Sequence, residues 1–394
     1  PLKNLKKMDL FKSKNLKELP DLSNATNLRE LVLWGCESLI EIPSSISHLH
    51  KLKTLMTVGC INLEVIPAHM NLESLQTVCL GGCSRLRNIP VMSTNIRYLF
   101  ITNTAVEGVP LCPGLETLDV SGSRNFKGLL THLPTSLITL NLCYTDIERI
   151  PDYFKSLHQL KWVDLSGCRR LASLPELPYS LLTLNADDCE SLETVFCPLN
   201  SSKASFSFAN CFKLGREARR AIIQHSFFMG RAVLPGREVP AVFDHRAKGY
   251  SLTIRSDGNP YTRFVFCVVV SRNQKSEKTK EAISPSLLWR RIIAQDEGYP
   301  DEVWSYIGNV FKYRTEHLLI FHFDFLEFDS RDIVLEFSSK SHDFDIIECG
   351  AKVLTEKSIK ESYESGSDQA FEDDVVFEPS KAFGDEKYGD CCIL

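Results

Sequence analysis

Fourteen cysteines are the side chains of this 394-residue sequence with the most chemistry open to them: disulfide exchange, metal ligation and lipid attachment. Their placement decides between these. Cys36, Cys60, Cys83, Cys168 and Cys189 recur three residues behind the second leucine of a Leu-x-Leu pair or its equivalent, where other copies carry Thr104, Ser123 and Thr145. Small residues with a polar hydrogen suit a turn in which they satisfy backbone groups, so structural thiols are expected. No compact Cys-x-x-Cys pair stands outside the pattern, which argues against a metal. Cys391-Cys392-Ile393-Leu394 matches the C-a-a-X form, whose terminal leucine favours geranylgeranyl transfer to Cys391. The flank is acidic, with Glu372-Asp373-Asp374 and Asp385-Glu386, and lacks the basic second signal of a stable anchor, so an unused terminus is preferred. Asp244 beside His245 invites an acid–base reading, yet no nucleophile, pocket or third orienting group accompanies them. No Gly-x-x-x-x-Gly-Lys-[Ser/Thr] loop is present, so neither ATP chemistry nor any cofactor is assigned, and the chain reads as non-enzymatic. Two sequons, Asn24-Ala25-Thr26 and Asn200-Ser201-Ser202, are what chance supplies at this length.

The element that spaces the cysteines is a leucine pattern repeating roughly every 21 to 24 residues. Its clearest copies are Leu28-x-x-Leu31-x-Leu33-x-x-Cys36-x-x-Leu39-x-x-Ile42-Pro43 and the equivalent starting at Leu75. The frame also fits from Leu52 and Leu160, with degenerate copies from Leu5, Ile96, Leu115, Leu137 and Leu181, about nine repeats over residues 1–195. Leu-x-Leu alternation makes a short strand with its leucines inward, and stacked coils place those strands in a parallel sheet. Pro43, Pro67, Pro90, Pro110, Pro151 and Pro175 end each apolar turn on the convex side.

In this frame the third, fifth, seventh and eighth positions face the concave groove. They supply Phe11, Trp34, Tyr98, Phe100, Tyr144 and Trp162, with Glu30, Asp119, Asp164, Asp187 and Asp188. Aromatic anchors ringed by carboxylates predict a protein partner of basic character. Thr54, Thr77, Thr117 and Thr183 share the third position, as β propensity alone would place them.

After Val195 the rhythm stops. Residues 215–228 read as a short amphipathic helix, and β-prone runs follow at 250–254, 263–270, 318–325, 333–337 and 346–354. Several strands with few helices predict a mainly antiparallel β-sandwich over 196–354. Between helix and strands, residues 235–240 and Asp244-His245-Arg246 are polar and bear Gly and Pro, and are expected to be exposed. Arg237, Glu238, His245 and Arg246 are recognition candidates there, although a structural turn against the repeats is preferred. Residues 272–286 are charged and expected to form a mobile loop, and 355–394 an acidic disordered tail.

With 43% hydrophobic and 24% charged residues the chain is expected to bury two or three cores, and a net charge of −5 gives no general case for nucleic acid. No apolar run approaches the roughly 20 residues of a membrane span, so a cytoplasmic or nuclear location is expected, with membrane contact only through a prenylated Cys391. A start at Pro1 almost inside a repeat reads as the C-terminal part of a longer polypeptide.

Cysteine at the turn with Ile-Pro after it resembles the leucine-rich repeats of plant TIR-type intracellular immune receptors, the TIR-NB-LRR disease resistance proteins. The blocks Phe208-Ala209-Asn210-Cys211-Phe212-Lys213-Leu214, Ala218-Arg219-Arg220-Ala221-Ile222-Ile223 and Leu234-Pro235-Gly236-Arg237-Glu238-Val239-Pro240-Ala241-Val242-Phe243 resemble the jelly-roll/Ig-like domain that follows those repeats. Glu316-His317-Leu318-Leu319-Ile320-Phe321 and Ile347-Glu348-Cys349-Gly350 fit the same module. The resemblance implies recognition of a pathogen effector, and contact in the resting state with a nucleotide-binding domain of the intact receptor. A membrane-tethered repeat scaffold and a substrate adaptor for ubiquitin transfer are the other function classes.

Overall fold

The computed structural model describes residues 2–354 except 69, 71, 127–132, 198–203, 228–229, 256–262, 273–285, 293–301, 307–312, 324–331 and 340–343. The expected loop at 272–286, nearly all of it, and the tail 355–394 with Cys391 lie outside the described residues.

Each leucine frame delivers one three-residue strand: β1 (Lys7–Asp9), β2 (Glu30–Val32), β3 (Thr54–Met56), β4 (Thr77–Cys79), β5 (Tyr98–Phe100), β6 (Thr117–Asp119), β7 (Thr139–Asn141), β8 (Trp162–Asp164) and β10 (Thr183–Asn185). All pair in parallel, in register, so that Leu31, Leu55, Val78, Leu99, Leu118, Leu140, Val163 and Leu184 form one buried column. Strands this short bury little each, and stability comes from stacking, since every coil covers the apolar face of the next. On the return side Pro43 and Pro151 stand before the 3-10 turns Ser44–His48 and Asp152–Ser156, their fixed φ of −67° pre-set for the turn. There β9 (Ser173–Glu176) pairs in parallel with β11 (Thr194–Phe196).

The leucine rhythm fades at Val195, but the parallel ladder goes on. Strand β12 (Ser205–Ser207) adds to β10, and β13 (Arg231–Pro235) adds to β12. Phe206, Phe208, Cys211 and Leu214 occupy the inward positions of a tenth coil and are buried there. The expected helix is α1 (Arg216–Ser226), which lays Ala218, Ile222 and His225 inward.

At β13 the pairing changes hand. It takes β19 (His317–Phe323) antiparallel, followed by β16 (Arg263–Arg272), β21 (Phe344–Leu354) and β14 (His245–Lys248), all in one 15-stranded sheet. A second antiparallel sheet orders β15 (Ser251–Arg255), β20 (Asp332–Ser339), β17 (Ser286–Ile292) and β18 (Glu302–Tyr306). Strand β16 is buried on both faces. Val265, Cys267 and Val269 join the core that runs through the coils, while Phe264, Phe266, Val268 and Val270 join a separate core with Leu252, Phe321, Leu335 and Phe337 from both sheets. Its unbroken apolar sequence follows from that double burial.

Candidate protein-interaction surface

Every coil turns outward through the same backbone device. Lys12, Gly35, Gly59, Gly82, Asn103, Gly122, Tyr144, Gly167, Asp188 and Asn210, the eighth residue of successive frames, all have φ between +52° and +73°. Half are glycine, and glycine also makes room for its neighbour. A Cβ on Gly167 would sit 2.5 Å from the Tyr144 ring, and one on Gly122 would sit 2.1 Å from the Asn103 side-chain oxygen. Tyr144, 57% exposed, therefore lies across the coil that follows it.

The next residue is the cysteine position. Cys36 donates to the Leu10 carbonyl at 3.3 Å, Cys60 to Leu33 at 3.0 Å, Cys168 to Leu142 at 3.0 Å, Cys189 to Leu165 at 3.2 Å and Cys211 to Ala186 at 3.0 Å. Each bond ties a coil to the one before it. Thr104 and Thr145 instead return to carbonyls of their own coil, Ile101 at 3.0 Å and Leu142 at 2.7 Å. Burial pushes the Cys83 and Cys168 thiols up to about 11, which keeps the donating hydrogen in place. The twelve cysteines among the described residues are free.

The aromatic candidates lie along the open face, in separate groups. Phe11 and Trp34 meet edge to face, 5.7 Å between centroids at 84°, with Lys12 Nζ 5.1 Å from the Phe11 centroid. Tyr98 and Phe100 share β5 and are half-buried; Trp162, three strands further along the same register column, shares β8 with Asp164. At ~4.8 Å per strand, Trp34 and Trp162 stand six strands and roughly 29 Å apart along the sheet. The four threonines stand in the column that holds Tyr98 and Trp162.

The carboxylates serve their own chain. Asp119 is buried, accepting the Ser121 amide at 2.9 Å and the Asn141 amide nitrogen at 3.1 Å. Asp164 accepts the Ser166 amide at 2.9 Å, and Asp187 the Ser207 hydroxyl at 2.6 Å and the Ala209 amide at 2.8 Å. Asp9, Asn141 and Asn185 repeat the bond to the amide two residues on. Five Asp or Asn at the fifth frame position were the signal for this, a run of side chains closing the turn after the strand. Glu30 is exposed, with Lys7 3.7 Å away.

Asp188 belongs to a junction that spacing could not show. It accepts from Asn210 Nδ2 at 3.0 Å and from Arg314 Nη2 at 3.1 Å, while the Arg314 guanidinium also reaches Glu190 at 3.3 Å. The Asn210 amide donates to His317 Nε2 at 2.9 Å, Asn210 Oδ1 accepts the Arg314 amide at 2.9 Å, and His317 Nδ1 faces the Thr315 carbonyl at 2.8 Å. Only the neutral ring protonated at Nδ1 satisfies both neighbours. Burial, partly opposed by the Thr315 carbonyl, pulls its pKa down to about 4. Tyr313 stacks on the ring at 4.2 Å.

Of the loop candidates, Arg237 and Glu238 are exposed, Arg237 Nε lying 3.7 Å from Glu316. His245 and Arg246 pair within β14 against Ala351 and Gly350. Between them the loop is pinned where the Val239 amide donates to buried Glu348 at 2.9 Å. Among the described residues no helix is long and apolar enough to cross a membrane, and no group of three or more His, Cys, Asp and Glu could hold a metal ion.

No family model matches the sequence. The chain is 90% identical, over its whole length, to Disease resistance protein RML1B of Arabidopsis thaliana, and 40% identical over 93% of its length to Disease resistance protein RML1A. Disease resistance protein RPP5 matches 86% of the chain at 29% identity. The chain spans 38% of the length of the first two relatives and 23% of the third.

Proposed function

Because the chain belongs to the TIR-NB-LRR disease resistance proteins of plants, we propose that it is the part of such a receptor that recognises a pathogen effector by protein–protein contact. The aromatic residues on the open face of the parallel sheet carry this reading: Phe11 with Trp34, Tyr98 with Phe100, then Tyr144 and Trp162. Large rigid rings supply contact area at small entropic cost, and a curved row of them suits a macromolecule better than a small ligand. The antiparallel half, two sheets over a shared phenylalanine core, is read as the jelly-roll/Ig-like β-sandwich of the family, with Arg237, Glu238 and Arg246 at its accessible rim. In the resting receptor the same chain is read as holding the nucleotide-binding domain inactive, so that the effector and that domain are its two partners. No catalytic step is assigned to its own residues.

Two substitutions in the full receptor test this. Trp34→Ala and Trp162→Ala together should abolish the defence response to the effector while thermal unfolding of the protein stays within a few degrees of the parent. A retained response refutes the aromatic face as the recognition surface. A response lost along with folding assigns the rings to packing.

A further inference from the structure

The first three coils carry a cationic column that no structural need explains. Lys6, Arg29 and Lys53 occupy the residue before each strand, linked by backbone bonds from the Arg29 amide to Lys6 O at 2.7 Å and from the Lys53 amide to Arg29 O at 2.8 Å. All three are exposed, about one inter-strand step apart, and no ion pair among the described residues involves them. Like charges directly opposite on neighbouring strands repel. A fourth cation, Lys51, is held at the same edge by Asn27 Oδ1 at 2.7 Å. The nearby carboxylates Asp9 and Glu30 face Lys7 at 3.5 and 3.7 Å. Beside this column lies an apolar part of the open face: Phe11 is 51% exposed, and Trp34, Met56 and Val58 are half-buried. The uninterrupted run ends there: the same position carries Gln76 in coil four, Arg97 in coil five, which is paired with Glu116 of coil six, and a single cation, Lys161, in coil eight.

The chain itself contains the matching chemistry. Residues 355–394 hold eleven carboxylates against four lysines, so the net charge of −5 leaves residues 1–354 at +2. Phe371-Glu372-Asp373-Asp374-Val375-Val376-Phe377-Glu378 combines the densest acidic run with aromatic and aliphatic residues on both sides of it. Reach permits the contact. From β21, where Leu354 ends, to β3 and β1, whose coils carry Lys53 and Lys6, is eleven and thirteen strand steps, ~53 and ~62 Å along the sheet. The 18 residues between Leu354 and Asp373, 355–372, span up to ~65 Å when fully extended.

We propose that the segment 371–378 docks in cis on the first four coils, its carboxylates along Lys6, Arg29 and Lys53 and its apolar residues on the Phe11 and Trp34 face. Docked there it covers the aromatic pair nearest the start of the row and acts as an internal competitor for part of the surface assigned above to the partner. That competition rests on the proposed function; the docking itself does not, and the experiment reads the docking alone.

The test is carbodiimide coupling of the full chain at low concentration, which joins lysine amines to carboxylates in contact, followed by peptide mapping of the monomer band. Lys6 and Lys53 should be joined to Glu372, Asp373 or Asp374 in preference to the other exposed lysines, with a yield that falls as salt is raised. Arg29→Gln leaves both amines in place and should lower the yield several-fold, and so should Phe371→Ser, each with the thermal unfolding of the chain checked alongside. Products spread evenly over exposed lysines, or yields unmoved by both substitutions, overturn the proposal. So does a product confined to the dimer band, which assigns the column to a second copy.

Discussion

Acidification should open the seam between the coils and the antiparallel half, because His317 is folded there as a neutral ring. Its pKa is drawn from an ordinary 6.5 to about 4 by burial. A base whose folded pKa is depressed takes up protons more readily when unfolded, so its contribution is complete above pH 6.5 and disappears as pH falls toward 4. The full shift corresponds to about 3 kcal/mol, and linkage places on the order of 2 kcal/mol of that loss by pH 5, a change of roughly tens-fold in an opening equilibrium. Geometry gives the same sign. Protonating Nε2 sets an N–H against the Asn210 N–H that it now accepts at 2.9 Å. Arg314 stands beside this ring with Asp188 at 3.1 Å and Glu190 at 3.3 Å. Hydrogen exchange read by mass spectrometry, corrected for intrinsic rates, should show protection of peptides covering 206–214 and 313–322 falling by that factor between pH 7 and pH 5, with peptides of coils two to four unchanged. In His317→Gln the pH dependence of the junction should vanish. Equal loss of protection in wild type and variant, or loss spread over the whole solenoid, refutes the argument.

The thiol column makes a sharper chemical claim. Cys168→Val keeps the volume but removes the donor to Leu142 O, and should lower stability by about 1 kcal/mol in urea unfolding; Cys168→Thr, which copies Thr145, should cost less. For the left-handed column, Gly167→Ala should lose roughly 1–2 kcal/mol from φ of +71° and further stability from the displaced Tyr144 ring, whereas Gly35→Ala, whose Cβ would be 3.4 Å from the flexible Lys12 side chain, should lose only the backbone part. Equal losses at the two glycines would remove the packing role given to Tyr144.

The coils were legible because two periods coincide in them: a two-residue alternation that turns Leu31 and Leu33 inward, and a repeat length that puts Leu55 and Val78 beside Leu31. The cysteines were legible for the same reason, since one frame position recurs in one environment. The tenth coil was hidden by chemistry, not by geometry. Phe206 and Phe208 fill places that leucine fills elsewhere, and the sequence between Val195 and Ser205 breaks the count. Asp119, Asp164 and Asp187 looked like open acidic groups because spacing shows which way a side chain leaves the strand but not that its oxygens bend back, in Asp119 and Asp164 to the amide two residues on and in Asp187 to the Ala209 amide of the following coil. Lys12 and Tyr144 in left-handed backbone could not be read from residue type, which favours neither. The junction was beyond any local pattern, Asn210 and His317 standing 107 residues apart.

A stack of parallel coils ends in a row of spare backbone donors and acceptors, an invitation to growth or to fusion with a stranger. Here β13 spends that row on β19, and Asp188 and Asn210 fasten the last two turns to Arg314 and His317. A turn added to or removed from the middle of the stack therefore meets only its like, whereas the ninth and tenth are fitted to a particular terminus.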